Sequence, residues 1–243
     1  MERNTESNWL PPWTRLEHQG RYDFAASFVR GKHVVDCACG AGIGSALFAE
    51  TALQVWAIDS SAQAVAEAQA ACHRANLQIA VGDATRIDLP DHSADVFVSL
   101  ETIEHLENDA ALIDEAFRIL KPGGIFICST PNREMTNPGT SLHDKPWNPF
   151  HIREYTRDEF RARVERRFEM EGVYGQNPAG KWRVALGKQL ASIIGTSLVV
   201  KLNKLLKCRW FLQSVPEHHA VRLATTDLDY EFYVLVGRVP IPK

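Results

Sequence analysis

The stretch that decides the fold is His33–Glu50, HVVDCACGAGIGSALFAE. An apolar run, His33–Cys37, enters a glycine-rich turn, Gly40-Ala41-Gly42-Ile43-Gly44, and leaves as a helix-like segment, Ser45–Glu50. That order predicts a strand, a tight turn and a helix, with glycines where backbone comes close to a ligand. A second apolar run, VWAID, ends in Asp59, 23 positions after Asp36. An acid at about that distance reaches a ribose in nucleotide-binding α/β folds. The dinucleotide pattern G-x-G-x-x-G/A fits imperfectly, because Ser45 stands at its sixth position.

Outward from this unit, β and α patterns alternate to about Asn132, which argues for a parallel sheet with helices on both faces. Residues 1–17 read as an arm, with Trp9 and Trp13 around Pro11-Pro12. His18–Arg30 reads as a helix with Tyr22, Phe24, Ala25, Phe28 and Val29 on an apolar face. Ser61–Arg74 is the clearest helix, with Ser60 or Ser61 as its N-cap. Arg133–Phe150 is a loop with three prolines, and Thr156 opens a helix with Glu159 in capping-box position. Phe168–Tyr174 and Asp229–Val239 read as the last two strands.

The 243 residues suffice for one large α/β domain, 1–243. The apolar share of 45% and charged share of 23% are those of an ordinary globular chain. No apolar run approaches the ~18 residues of a membrane span, and MERNTESNWLPPW lacks the apolar core of a secretory signal. Five cysteines, with Cys37-Ala38-Cys39 mis-spaced for a C-x-x-C site, read as reduced cytoplasmic thiols. Charge is uneven: residues 1–120 carry 8 Lys/Arg against 18 Asp/Glu, and residues 121–243 carry 19 against 12. No acid occurs between Gly172 and Pro216, where Lys181, Arg183, Lys188, Lys201, Lys204, Lys207 and Arg209 fall. Such a patch suits an anionic partner or a solvated helix face.

The pattern D-x-x-x-G-x-G-x-G, Asp36 to Gly44, resembles motif I of the class I S-adenosylmethionine (SAM) methyltransferases. The resemblance continues in register through Asp59, VGDA (Val81–Ala84), DVFVSLETIEHL (Asp95–Leu106) and LKPGGIFICSTPN (Leu120–Asn132). It covers about residues 21–160. It implies a Rossmann-like fold with a seven-stranded, mostly parallel sheet, an antiparallel last strand, and an insertion at about 175–226 over the substrate side. It implies SAM as cofactor, released as S-adenosylhomocysteine. Gly40, Gly42 and Gly44 would pass the methionine part, and the helix N-terminus near Ile43–Ser45 would face its carboxylate. Asp36 would act through the turn and the amino group. Asp59, beside Ser60, would accept the ribose hydroxyls, and Asp83 the adenine amine with Ala84 beside the ring. Arg21, Tyr22 and Glu101 would complete the cofactor wall. A nucleotide-binding reductase is the rival reading of the same glycines.

Glu101, Glu104 and His105 follow the fourth strand and share one face if a helix starts there. Two carboxylates and an imidazole suit a divalent cation such as Mg²⁺. E-x-x-E-H resembles the ubiquinone-biosynthesis O-methyltransferases and the small-RNA 3′-terminal 2′-O-methyltransferases. In the latter a further His precedes a Y/W-T-R-x-x-F helix, and HIREYTRDEF places His151 there. The metal set implied is Glu101, Glu104, His105 and His151; without metal, Glu104, His105 and His151 are the general-base candidates. A hydroxyl acceptor needs such help, because its pKa is near that of water, about 16. His143 and Asp144 are weaker candidates, and His218 and His219 read as surface residues.

RYDFA (Arg21–Ala25), the STPN loop, NPFHIREY and YGQ (Tyr174–Gln176) resemble bacterial methyltransferases of glycan and secondary-metabolite pathways. A hydroxyl on a sugar or similar small molecule is the acceptor this implies. RNA is the rival acceptor, disfavoured by the net charge of −3 and the lack of a recognisable RNA-binding module. A non-catalytic SAM-binding regulator is a third class. In the insertion, Leu186, Leu190, Ile193, Ile194, Leu198, Leu202, Leu205 and Leu206 recur at helical spacing with lysines between, and Gly195 breaks the run. This reads as a lid, a homodimer face, or a basic amphipathic surface that meets lipid and admits a lipid-linked or quinone-type substrate.

Overall fold

The computed structural model describes residues 12–210 and 219–242, with side chains described for 14–203 and 219–242. The elements run α1 (Pro12–Ala26), β1 (His33–Cys37), α2 (Ile43–Phe48), β2 (Gln54–Asp59), α3 (Ala62–Ala71) and β3 (Leu77–Val81). They continue with β4 (Ala94–Leu100), a 3-10 turn (Ile103–His105), α4 (Asp109–Ile119), β5 (Leu120–Pro131), α5 (Arg133–Thr136) and α6 (Arg157–Val164). The chain closes with β6 (Glu169–Gly180), α7 (Lys181–Ile194), α8 (Thr196–Trp210), β7 (Arg222–Leu223) and β8 (Leu228–Arg238).

The strand order is β3-β2-β1-β4-β5-β8-β6-β7. The first five are parallel, and β8 inserts antiparallel between β5 and β6. This is the Rossmann-like sheet with antiparallel closing strands, with the two-residue β7 added at the edge beyond the seven strands expected. Crossing order reverses beside β1, so the crevice beyond the carboxyl ends of β1 and β4 is where such a sheet binds ligands.

Successive strand residues point to opposite faces and build two apolar layers. Val35, Phe97, Phe126 and Leu235 pack with Leu112, Ile113 and Phe160 from α4 and α6. Val34, Val96, Val98 and Val234 pack on the other face with Ala25 of α1 and Phe48 of α2. Ser61 caps α3 by accepting from the Ala64 N–H at 3.2 Å, so the cap is Ser61 rather than Ser60. The Thr156–Glu159 capping box is formed.

Two elements differ in extent from expectation. The first helix occupies Pro12–Ala26, not His18–Arg30, so the expected arm is helical from Pro12 onward, while Trp9 and Pro11 lie outside the described residues. β6 runs on to Gly180, so the insertion starts at 181, because Gln176, Pro178 and Gly180 keep pairing with β8. Gly195 does end α7, at φ 85°. The side chains of Lys204, Leu205, Leu206, Lys207, Cys208 and Arg209, and all of His218, lie outside the described side chains. No helix among the described residues is long and apolar enough to cross a membrane.

Gly44 shows how the turn is fixed. A Cβ there would lie 1.9 Å from the Tyr22 ring, so α1 can close over α2 only above a glycine. Gly44→Ala should therefore cost about 1–3 kcal/mol by overpacking. Urea unfolding should show this loss, and adding Tyr22→Leu to Gly44→Ala should recover part of it.

Candidate active site

The glycine turn is held by two acids. Gly40 (φ 55°) and Gly42 (φ 77°) are left-handed, a conformation that costs other residues strain. A Cβ on Gly40 would meet nothing within 4 Å, so this residue borders open space. The Gly40 N–H donates to Asp59 Oδ2 at 2.9 Å, and the Ser61 N–H donates to Oδ1 at 2.8 Å. Asp59 is buried, and each oxygen keeps a second lone pair. Asp36 accepts from Ser45 Oγ at 2.5 Å, and its Oδ1 is buried with no hydrogen-bond partner. Burial and the charge of Asp59 push the Asp36 carboxyl up to about 7, against the Ser45 bond. Tyr22 is half-buried beside Asp36, and desolvation together with that carboxylate raises its phenol. Ser60 and Asp83 are exposed at the ends of β2 and β3, and Ala84 is half-buried. Asp83 accepts from the Thr85 N–H and hydroxyl, which hold its carboxyl below the usual range.

The loop after β4 carries the second half of the site. No α-helix begins at Glu101. That residue sits at φ 54°, and Glu104 and His105 lie in the 3-10 turn that follows. A non-glycine residue in this region stores strain, which persists where neighbours over-determine it. Here the Glu101 N–H donates to the Ser129 backbone oxygen at 3.2 Å, and Ser129 Oγ donates to Glu101 Oε1 at 2.7 Å. Arg21 Nε stands 3.9 Å from the same oxygen. Arg21 is buried, bonds Gln176 Oε1 at 2.5 Å, and lies 4.4 Å over the Phe232 ring.

Glu104 is buried, with Oε2 accepting from Thr130 Oγ1 at 3.0 Å and Oε1 without a partner. Burial, with the nearby charge of Glu101, holds its carboxyl well above the usual range. His105 Nδ1 faces the Phe150 carbonyl at 2.9 Å, and that carbonyl can only accept. The ring of His151 stands edge-on to it, centroids 4.8 Å apart. His151 Nδ1 is 2.5 Å from Glu154 Oε1, and Nε2 is 2.9 Å from the Asn148 amide nitrogen. Glu154 is itself buried and accepts from Thr136 Oγ1 and from Asn137 Nδ2. Ligating atoms of Glu104, His105 and His151 all lie within 4.8 Å of one another.

Residues 35–128 match the model of a methyltransferase domain. A probable S-adenosylmethionine-dependent methyltransferase of Mycolicibacterium smegmatis is 38% identical over 164 residues, 67% of this chain and 62% of that protein. The matched region is that of a class I SAM-dependent methyltransferase domain. A ubiquinone biosynthesis O-methyltransferase of Psychrobacter arcticus is 34% identical over 149 residues, 56% of this chain and 54% of that one. The chain thus spans between half and two thirds of the length of these relatives. Among solved structures, an S-adenosylmethionine-dependent methyltransferase of Mesorhizobium loti superimposes with TM-score 0.60 at 18% identity, covering 91% of this chain and 99% of that one. The [4+2]-cyclase SpnF shares the fold at TM-score 0.62 and 17% identity, over 99% of this chain and 86% of its own. Fold alone therefore does not fix the reaction.

The family of the matched domain implies SAM, and the turn has features that fit it: Gly40 borders open space, and Asp36 in the same unit has a buried Oδ1 without a hydrogen-bond partner. Gly44 has a packing role as well as the one expected of it, because its missing side chain makes room for Tyr22. Of the four residues expected around a metal, three converge, and Glu101 stands apart with Ser129 and Arg21. His219, expected at the surface, is buried, with Nδ1 3.1 Å from Asn177 Oδ1. His143 and Asp144 stay exposed in their loop. Glu154 was not anticipated; its only trace in the sequence is the i, i+3 spacing of H-I-R-E.

A carboxyl raised by folding keeps a proton that the unfolded chain releases, so it weakens the fold as pH rises from about 4 toward 7. Asp36, Glu101 and Glu104 all act in this sense. Without cofactor, urea midpoints should therefore fall between pH 5 and pH 7.5. Asp36→Asn, which keeps an acceptor for Ser45, should reduce the slope between about pH 4 and pH 7.

Proposed function

We propose that this chain is a SAM-dependent methyltransferase acting on a hydroxyl of a sugar, glycan or other small biosynthetic acceptor. The observation that carries the reading is the convergence of Glu104, His105 and His151 at the end of β4, the strand beside the β1 glycine turn. The Gly40–Gly42 turn, Asp36, Asp59, Ser60, Asp83 and Ala84 would hold the cofactor, with Arg21, Tyr22 and Glu101 forming the wall toward the acceptor. Bound SAM supplies a methyl group on a sulfonium, which needs no further activation. The protein must align the acceptor oxygen and take up its proton.

His151 suits the second task. A proton on Nδ1, donated to Glu154, leaves the Nε2 lone pair facing Asn148. An acceptor hydroxyl displacing the Asn148 amide could deliver its proton there. Glu154, anchored by Thr136 and Asn137, is a positioning residue that fixes this tautomer and stabilises the imidazolium. The same cluster fits a divalent ion: the donors are one carboxylate and two imidazoles, and Glu104 Oε1 is buried without a partner. Two imidazoles favour a transition ion over Mg²⁺. Such an ion would lower the pKa of a bound hydroxyl, to about 7 for water in the zinc case.

This cluster also supports RNA 3′-terminal 2′-O-methylation as a second reading, which requires RNA binding with a strong salt slope. The Psychrobacter arcticus relative lends support to a quinone-type or lipid-linked acceptor. A SAM-binding regulator is the least supported reading and predicts binding without turnover. The four unbridged cysteines among the described residues support a cytoplasmic setting, with the chain working as one domain.

Calorimetric titration with SAM, with EDTA and then with excess Mn²⁺ or Mg²⁺, tests the assignment. Binding in the micromolar range is expected, and Asp59→Ala should abolish it. No SAM binding by the wild type would overturn the reading. His151→Ala should lower turnover about 10²-fold or more with SAM affinity unchanged. Glu154→Gln should lower kcat and shift its pH profile. Glu104→Ala should abolish any divalent-ion heat.

A further inference from the structure

Helix α7 is apolar on two opposite faces. Its inward face is Val184, Gly187 and Ala191, packed on the Arg133–Phe150 loop, with Gly187 against Pro138 and Ala191 against Gly139. Its outward face is larger and more apolar. Trp182, Leu186, Leu190 and Ile193 stand at i, i+4, i+8 and i+11, one stripe along the helix. Trp182 is 69% exposed and Ile193 70%. Leu198 and Leu202, one turn apart, carry exposed apolar surface onto α8. Seven of the fourteen large apolar side chains exposed among the described residues fall between 182 and 202. Apolar surface gathered in this way marks a contact site rather than ordinary exposure.

The charges around it choose the occupant. Lys181 and Arg183 project on opposite flanks of the stripe, and Lys201 is exposed on α8. Lys188 is paired with Glu134, and Lys181 lies near enough to Asp227 and Asp229 to favour their charged forms, so Arg183 and Lys201 carry most of the charge this face offers. The sequence offers no acid between Gly172 and Pro216. A second copy meeting this face across a two-fold axis would set each cation against its like, with no hairpin carboxylate between them. A layer of anionic headgroups supplies the missing charge, and the acyl boundary beneath it receives the stripe. Trp182, at the first turn of α7, has the amphipathic ring that settles at headgroup depth.

We propose that the α7–α8 hairpin is a peripheral docking surface for an anionic lipid bilayer. It lies on the bilayer rather than crossing it. Docking would hold the loop that carries Asn137, Asn148 and His151 close to the lipid surface, because α7 packs directly on that loop. The proposal is independent of the reaction proposed above, and its test reads no turnover.

Vesicle flotation of the full chain at low salt tests it, using vesicles of phosphatidylcholine alone and of equal parts phosphatidylcholine and phosphatidylglycerol. The chain should float with the mixed vesicles, not with phosphatidylcholine alone, and added salt should release part of it. Trp182→Glu with Ile193→Glu, or Lys181→Glu with Arg183→Glu, should lower the bound fraction roughly tenfold or more, with melting temperature unchanged. Failure of the wild type to float with the mixed vesicles overturns the proposal, whatever the variants do. So does binding that both pairs leave intact. A wild type that fails to float but forms a dimer split by Ile193→Glu assigns the face to a second copy instead.

Discussion

Asp59 accepts two backbone N–H groups, one from the glycine turn and one from the start of α3, and most of the cofactor half depends on this double bond. Each charge-assisted bond of this kind contributes about 1.5–3 kcal/mol where it is buried. Together they tie the ends of β1 and β2 to one carboxylate. Asp36 does the same within its own unit by holding Ser45 at the start of α2. The turn is therefore built before any ligand arrives. That preorganisation explains why the residues around it are so intolerant of bulk: Tyr22 closes over Gly44 with no space to spare, and Gly42 rests on Ala68. The acids proposed to face the cofactor are also structural members.

The cofactor half was legible because its signals are local. β1, the turn and α2 are contiguous, the glycines mark backbone that other residues cannot adopt, and Asp59 ends its strand at the expected distance. The apolar runs read as strands are strands in the fold, where Val34, Val96 and Val98 feed one face and Val35, Cys37 and Phe97 the other. The helix at Glu101 failed for a physical reason. A good helix-forming sequence, ETIEHL, is overruled by Ser129, which bonds both the backbone and the carboxylate of Glu101 from the neighbouring strand. Propensity cannot anticipate a partner 28 positions away. The same holds for His219, buried because Gln176 and Asn177 of β6 bond it.

The acceptor half was legible only in outline. E-x-x-E-H and His151 named three side chains that the fold does bring together, but the sequence could not show that Ser129 holds Glu101 outside that trio. Nor could it show that Glu154 backs His151, because that bond matters only once Thr136 and Asn137 bury and orient the carboxylate. Arg21 is a further example. Its guanidinium joins α1 to β6 through Gln176 while stacking on Phe232 of β8, three elements far apart along the chain. One buried arginine thereby sets the distance between the N-terminal helix and the closing strands.

Gly180, the last residue of β6, pairs with Leu228, the first of β8. The chain thus leaves the sheet and re-enters it at one rung of the ladder, and residues 181–227 form a closed excursion from a single point. Loop-closure entropy rises only with the logarithm of length, by about 0.6 kcal/mol for each doubling. The sheet therefore sets little limit on how long that excursion is, since its own share of the ladder is the two-residue pairing of β7. In evolutionary terms this is a grafting site, where one surface of the protein can be varied while the sheet that carries the glycine turn is inherited unchanged.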